Sequence, residues 1–286
     1  MHFVRLGQPG LERPFVVHGG LAWRIDDFTD DIDGAFFERG GIETVRAALD
    51  AERLKPVGPS EQLGVRFGPP IARPGKVVCI GLNYRDHAAE MNAAIPQEPV
   101  VFMKDPFSVV GPDDDVRIPR GSTKTDWEIE LAVVIGSTAR YLESDDAARS
   151  CIAGYAIAHD VSEREFQLER GGQWDKGKSC ETFNPLGPWF VPATEVPEPQ
   201  NLALRLRVNG DLKQAGNTAN MIFHVVDIVR YLSQFMVLRA GDVINTGTPA
   251  GVALGQLEPK PYLRAGDVVE LEIDGLGRQT QRLVQA

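Results

Sequence analysis

The sequence predicts a β-rich α+β protein, and two observations carry that expectation. Short runs of β-branched and apolar residues recur along the chain, several of them ending on Gly or on a turn pair. Helical patterns are few and short, which speaks against a doubly wound parallel sheet.

In chain order, Phe15-Val16-Val17-His18, Gly19-Gly20 and Leu21-Ala22-Trp23-Arg24-Ile25 read as a tight hairpin. Residues 41–54 place Ile42, Val45 and Leu49 at helical spacing. Five prolines between Lys55 and Gly75 mark a connector, so a small N-terminal α/β domain over 1–70 is expected ahead of a larger one over 71–286. Residues 76–81 form a short apolar strand, and 126–136 a longer one closing on Gly136. Ser144 caps a helix through about Cys151, and Ser162 with Glu165 reads as a capping box for a helix ending at Gly171-Gly172. Asn209-Gly210 joins two strands of a hairpin, and His224, Val225, Ile228, Leu232 and Phe235 form an apolar helical stripe. Strands over 242–246 and 268–273 each follow a copy of Arg-Ala-Gly-Asp, better read as shared turn chemistry than as a repeat.

Composition narrows the function classes. The 286 residues are 43% hydrophobic and 24% charged, ordinary values for a globular chain with a sizeable core. A net charge of -10 without a Lys/Arg cluster argues against nucleic acid or an anionic membrane as partner. Cys79, Cys151 and Cys180 form no C-x-x-C pair, and no run is long enough to span a bilayer, so a cytoplasmic protein is expected.

The most informative residues are Glu128 and Glu130. Period two puts both carboxylates on one strand face, with Trp127, Ile129 and Leu131 on the other. That pattern suits either a solvated acidic face or two ligands for a hard cation, which relieves like-charge repulsion. Asp160, at a strand end, is either a helix starter or a third ligand. His87 and Glu90 stand three apart on one helical turn, as a surface pair or as a base with its orienting carboxylate. His159 and His224 read as structural. Lys104, Lys178, Arg164 and Gln167 are polar candidates near these motifs, and the Gly-rich loop Thr246–Val252, with Thr248, offers amides to a substrate carboxylate. No Walker, G-x-G-x-x-G or G-x-S-x-G pattern and no clustered His/Cys set is present.

In this order, Gly81-Leu82-Asn83-Tyr84 through Glu90, Phe102-x-Lys104, Glu128-x-Glu130, Asp160 with Gln167, Lys178-Ser179 and Thr246-Gly247-Thr248-Pro249-x-Gly251-Val252 resemble the fumarylacetoacetate hydrolase family. The resemblance spans 76 to about 255. It implies a mixed β-sandwich roll, usually homodimeric. It also implies metal ligands Glu128, Glu130 and Asp160, holding Mg2+ with Mn2+ or Ca2+ as alternatives. A His87–Glu90 dyad on a lid would activate water, Lys178 would steady an oxyanion, and Lys104, Arg164, Gln167 and Thr248 would contact substrate. The chain looks most like the branch of 2,4-diketo-3-deoxy sugar acid hydrolases and 2-hydroxyhepta-2,4-diene-1,7-dioate isomerases. Leu82 departs from the Arg of acylpyruvase and oxaloacetate-decarboxylase relatives. The implied activity is metal-dependent hydrolysis of a C–C bond in a small anionic 2,4-diketo acid, giving pyruvate and a second acid. An isomerase or decarboxylase on the same site, and a non-catalytic metal-stabilised binding protein, are the alternatives.

Overall fold

The computed structural model describes residues 1–59 and 64–286. Most strands join one 12-stranded sheet, whose central members are Asn184–Pro192, Ile152–His159, Ile129–Ile135, Val243–Asn245 and Val77–Gly81, side by side in that order. A second sheet of five strands runs from Asp211–Asn217 through Ala203–Val208, Val268–Ile273 and Gly277–Gln285 to Val116–Ile118. Ile129, Leu131 and Val133 share one buried cluster with Leu204, Leu206, Val269 and Leu271, so the two sheets face each other across the main core. The other face of the same strand sends Ala132 and Val134 into a second core with Phe36 and Val45. A strand buried on both sides reads as a continuous apolar run, which is why Leu131–Ile135 has no polar alternation. The β-rich α+β class and the sandwich both hold.

The N-terminal segment extends this sheet. His2–Leu6 pairs antiparallel with Asn184–Pro192 at Phe3 and Phe190, and the hairpin Arg13–His18/Leu21–Arg24 follows outward. Two strands lie within the expected connector: Pro56–Pro59 against Leu21–Arg24, and Phe67–Gly68 against His2–Leu6. The prolines are tolerated because Pro56–Pro59 is the last strand of its edge. Residues 60–63 of that connector lie outside the described residues. An unforeseen helix, Gly34–Glu38, precedes the expected one, Gly41–Asp50.

Both Arg-Ala-Gly-Asp copies make the same turn: the Asp242 and Asp267 carboxylates accept from the Arg239 and Arg264 amides at 2.8 and 2.6 Å. The helix expected after Ser162 is different. Ser162–Glu163 is a short strand against Thr125–Asp126, and Glu165–Glu169 forms a π-helical turn capped by Glu163, whose Oε2 accepts from Phe166 N at 2.6 Å. Ser162 instead turns its hydroxyl inward, donating to Asp160 O at 3.2 Å. The stripe after His224 also ends early. The helix is Val225–Leu232, His224 is its exposed N-cap, and Phe235 is 67% exposed beyond it.

One buried side chain joins the segments that carry the site. Asn83, fully buried, donates to Thr246 O (2.7 Å) and Phe223 O (3.0 Å) and accepts from Phe223 N (2.8 Å). It thereby fixes the start of the helix Arg85–Glu90 against the end of Val243–Asn245. Asn83→Ala leaves these backbone groups unpaired at about 1–3 kcal/mol each. We expect a urea midpoint lowered accordingly; a change below about 0.5 kcal/mol in unfolding free energy contradicts the role given to Asn83.

Candidate active site

The register of one strand pair builds the acidic cluster. Ile129 lies opposite His159, so continuing one residue puts Glu128 opposite Asp160, and Asp160 N donates to Glu128 O at 3.0 Å. Glu130 lies two residues along on the same face. One oxygen from each of Glu128, Glu130 and Asp160 lies within 4.8 Å of the others, and all three residues are buried. The strand expected over 126–136 is interrupted at Trp127-Glu128, and Asp126 turns inward as a fourth buried acid. Its carboxylate accepts from the Trp127, Ala253 and Leu254 amides and from Arg164 Nε.

Three cations answer these acids. Lys104 Nζ donates to Asp160 Oδ1 at 2.5 Å and to Val161 O at 3.0 Å. Lys178 Nζ bridges Glu128 Oε2 (2.8 Å) and Asp160 Oδ2 (2.9 Å), leaving one of its three N–H groups uncommitted. Arg164 spans Asp126 (2.8 Å) and Glu128 (2.6 Å) and donates to Gln167 Oε1 at 3.0 Å. Burial alone would raise the Glu128 pKa, but Lys178 and Arg164 outweigh it and hold Glu128 well below the usual carboxylate range. Glu130 goes the other way. Burial, then the charges of Asp160 and Glu128, push it well up, and the partner recorded for its carboxylate is the Gly247 amide at 2.7 Å. Burial opposes the charge on Lys178 most strongly, yet Asp160 and Glu128 raise its pKa, so it stays an ammonium. Four carboxylates face three cations, and Glu130 is the one with no cationic partner among the described residues, which is why its neutral form is favoured there.

Two glycines permit this crowding. Gly247 has φ +96°, and a Cβ there would meet Asn83 Cβ at 2.8 Å and Ile80 O at 3.0 Å. Gly177 lets the helix Asp175–Lys178 lie against the π-helical turn, where a Cβ would come within 2.6 Å of Gln167 N.

On the helix Arg85–Glu90, His87 Nδ1 is 3.0 Å from Glu90 Oε2, and Glu90 Oε1 accepts from Gly251 N at 2.9 Å. Assigning the Nδ1 proton to that hydrogen bond leaves the Nε2 lone pair free to act as a base. His87, Glu128, Glu130, Arg164, Gln167 and Lys178 line one cavity of about 220 Å³. Thr248 lines it too, but its hydroxyl already donates to Ile129 O (2.8 Å) and accepts from Gln214 Nε2 (2.8 Å). Lys104 and Asp160 are fully buried and are not among the lining residues, so Lys104 stands as Asp160's counter-ion instead of at a substrate surface. His159 is structural: its Nδ1 pairs with Gln281 Oε1 at 2.9 Å, and burial lowers its pKa to about 4.

Sequence reading missed three supports. Asp126 had a signal, being the first acid of the Asp-Trp-Glu run. Asn83 stood in the Gly81–Glu90 motif without a role and Gln214 had no signal, because their partners lie 85 or more residues away in the contacts to Ile129, Thr246 and Phe223.

The donor set suits a hard divalent cation: three carboxylates close enough for one ion to bridge, one of them, Glu130, without a cationic partner among the described residues. No thiol or imidazole belongs to the cluster, among the described residues.

Comparison with known proteins agrees with the fold. A family profile described as Fumarylacetoacetate (FAA) hydrolase C-terminal matches residues 76–284. A Burkholderia multivorans relative, provisionally named a hydrolase, is 48% identical over 284 residues, 98% of each chain. The crystal structure of 2-hydroxyhepta-2,4-diene-1,7-dioate isomerase from Mycobacterium marinum superposes with a TM-score of 0.73 at 30% identity, covering 100% of this chain and 98% of that one. Maleylpyruvate hydrolase from Sphingobium sp. SYK-6, solved with manganese(II) and pyruvate, gives 0.80 at 27% identity over 100% of both chains. Matched by that family profile over most of its length and nearly half identical to a full-length relative, this chain belongs to the fumarylacetoacetate hydrolase family.

Proposed function

We propose that the protein hydrolyses a C–C bond of a 2,4-diketo acid, with a divalent cation held by Glu128, Glu130 and Asp160. The observation that carries this reading is one cavity lined by Glu128 and Glu130 and also by the His87 of an oriented His–Glu dyad. The manganese and pyruvate in the maleylpyruvate hydrolase structure support both the ion type and the 2-oxo acid product. When bound, the cation supplies Lewis-acid polarisation of the 2-oxo acid group and stabilises negative charge that develops there.

The chain's own residues do the rest. Glu90 keeps His87 in the tautomer whose Nε2 takes a proton from water. The hydroxide adds to the distal carbonyl carbon, and the uncommitted N–H of Lys178 meets the oxyanion that forms. As that intermediate collapses, the bond between C3 and C4 breaks. The electron pair goes to C3 as pyruvate enolate, and a proton, returned through His87, completes pyruvate. The other product is the carboxylic acid of the acyl group. Gln167, whose amide nitrogen donates to no protein group among the described residues, would hold a substrate oxygen.

The isomerase neighbour favours a second reading in which the same site shifts a double bond without hydrolysis. Reaction in 18O-labelled water separates the two, because only hydrolysis carries solvent oxygen into the second acid. We expect label there, and unlabelled product with no pyruvate release refutes hydrolysis. His87→Ala should lower kcat by about 10²–10⁴-fold. Unchanged turnover would remove the dyad from the mechanism.

Glu130 gives a test independent of turnover. Its folded pKa lies above the ordinary 4.5, so in the absence of a cation it counts increasingly against the fold as pH rises through and above that value. In chelator, the stability gained by Glu130→Gln therefore grows as pH is raised from about 4 toward neutrality. Mg2+ or Mn2+ should raise the unfolding temperature of the wild type and leave Glu130→Gln nearly unmoved; equal shifts in both refute the ligand assignment.

A further inference from the structure

The cavity changes character between floor and mouth. At the floor, Glu128, Glu130, Arg164, Gln167, Lys178 and Thr248 are each no more than 5% exposed. The partly exposed lining side chains are Leu82, Met91, Ala93, Leu168, Trp174 and Leu254, all uncharged and apolar apart from the indole N–H of Trp174. Trp174 is held in place: its ring meets Phe102 edge-on at 5.4 Å and occupies the space over Gly81, where a Cβ would come within 2.6 Å of it.

Charge is distributed just as unevenly. Lys178 and Arg164 are the cationic residues lining the cavity, and each is already shared between two carboxylates. A substrate whose 2-oxo acid head lies at the floor must direct its far end along the mouth. A second carboxylate there loses part of its hydration and gains no cation, and a polyhydroxy arm finds only the indole N–H of Trp174 among the mouth side chains. A hydrocarbon arm gains about threefold to fourfold in affinity per buried methylene.

We infer that the substrate of this chain is a 2,4-diketo acid with an apolar acyl arm, alkyl or aryl, and no second carboxylate. The inference rests on the diketo-acid reading of the same site. Two measurements on the metal-loaded protein test it. One is kcat/KM for pyruvate release from acetyl-, butanoyl-, hexanoyl- and benzoylpyruvate, set against a diketo acid of hexanoyl length ending in a carboxylate. The other is calorimetric binding of 2-oxoheptanoate against 2-oxoheptanedioate.

The expected result is a rise of about threefold per methylene along the alkyl series. The carboxylate-ended compound should fall about tenfold or more below its methyl-ended counterpart in both measurements. Leu168→Arg, which brings a cation to the mouth, should shrink that deficit. Equal or reversed binding of the two oxo acids, or a deficit unmoved by Leu168→Arg, overturns the inference while leaving the diketo-acid reaction standing. The expected binding order without pyruvate release from any compound overturns the hydrolase reading and leaves the apolar mouth in place.

Discussion

Four carboxylates, Asp126, Glu128, Glu130 and Asp160, are packed within one buried patch, and their repulsion is the constraint around which the site is arranged. Removing a charge from water costs several kcal/mol unless partners replace the lost hydration. Lys104, Lys178 and Arg164 provide those partners, each with direct N–H donation to carboxylate oxygen. The compensation does not extend to Glu130, which has no cationic partner among the described residues and whose neutral form is favoured by burial and by the charges of Asp160 and Glu128. The strand register and the amide of Gly247 already fix the ligand positions.

The opposite wall is held differently. The helix that carries His87 has six residues, too few to persist on its own in water. Its position is imposed at both ends by distant groups, Asn83 reaching Thr246 and Phe223, and Glu90 reaching Gly251. Glu90 thus has two roles at once, orienting the imidazole through one oxygen and anchoring the helix through the other. Central strands present the acids while a short tethered helix presents His87, and the side chains at the mouth of the cavity between them are uncharged and mostly apolar.

Several features were legible because they are local. The Gly19-Gly20 and Asn209-Gly210 hairpins, the Ser144 cap and the two Arg-Ala-Gly-Asp turns depend on residues within a few positions of one another. Local rules also misled where a buried neighbour outbid them. Ser162 has the spacing of a helix cap, but its hydroxyl faces the acid cluster, and Glu163 caps the turn. Lys104, a substrate contact by family resemblance, is buried in an ion pair with Asp160. The segment after Lys55 looked like a connector for its prolines, yet it supplies the outermost strand, where missing amide donors cost little.

The sequence by itself determined which side chains share a face. Period two sets Glu128 and Glu130 together, and a single helical turn sets His87 beside Glu90, whatever the rest of the chain does. Only the tertiary structure decided what those pairs mean. Whether two acids on a strand are a wet surface or a buried cluster depends on what covers them, and that cover comes from Lys178, Arg164 and Gly247, brought in from remote segments. Pairing between strands sets Asp160 opposite Glu128, and packing between loops sets the dyad across the cavity. Spacing along the chain encodes direction; burial, which converts repulsion into a demand for a cation, is a property of the assembled fold.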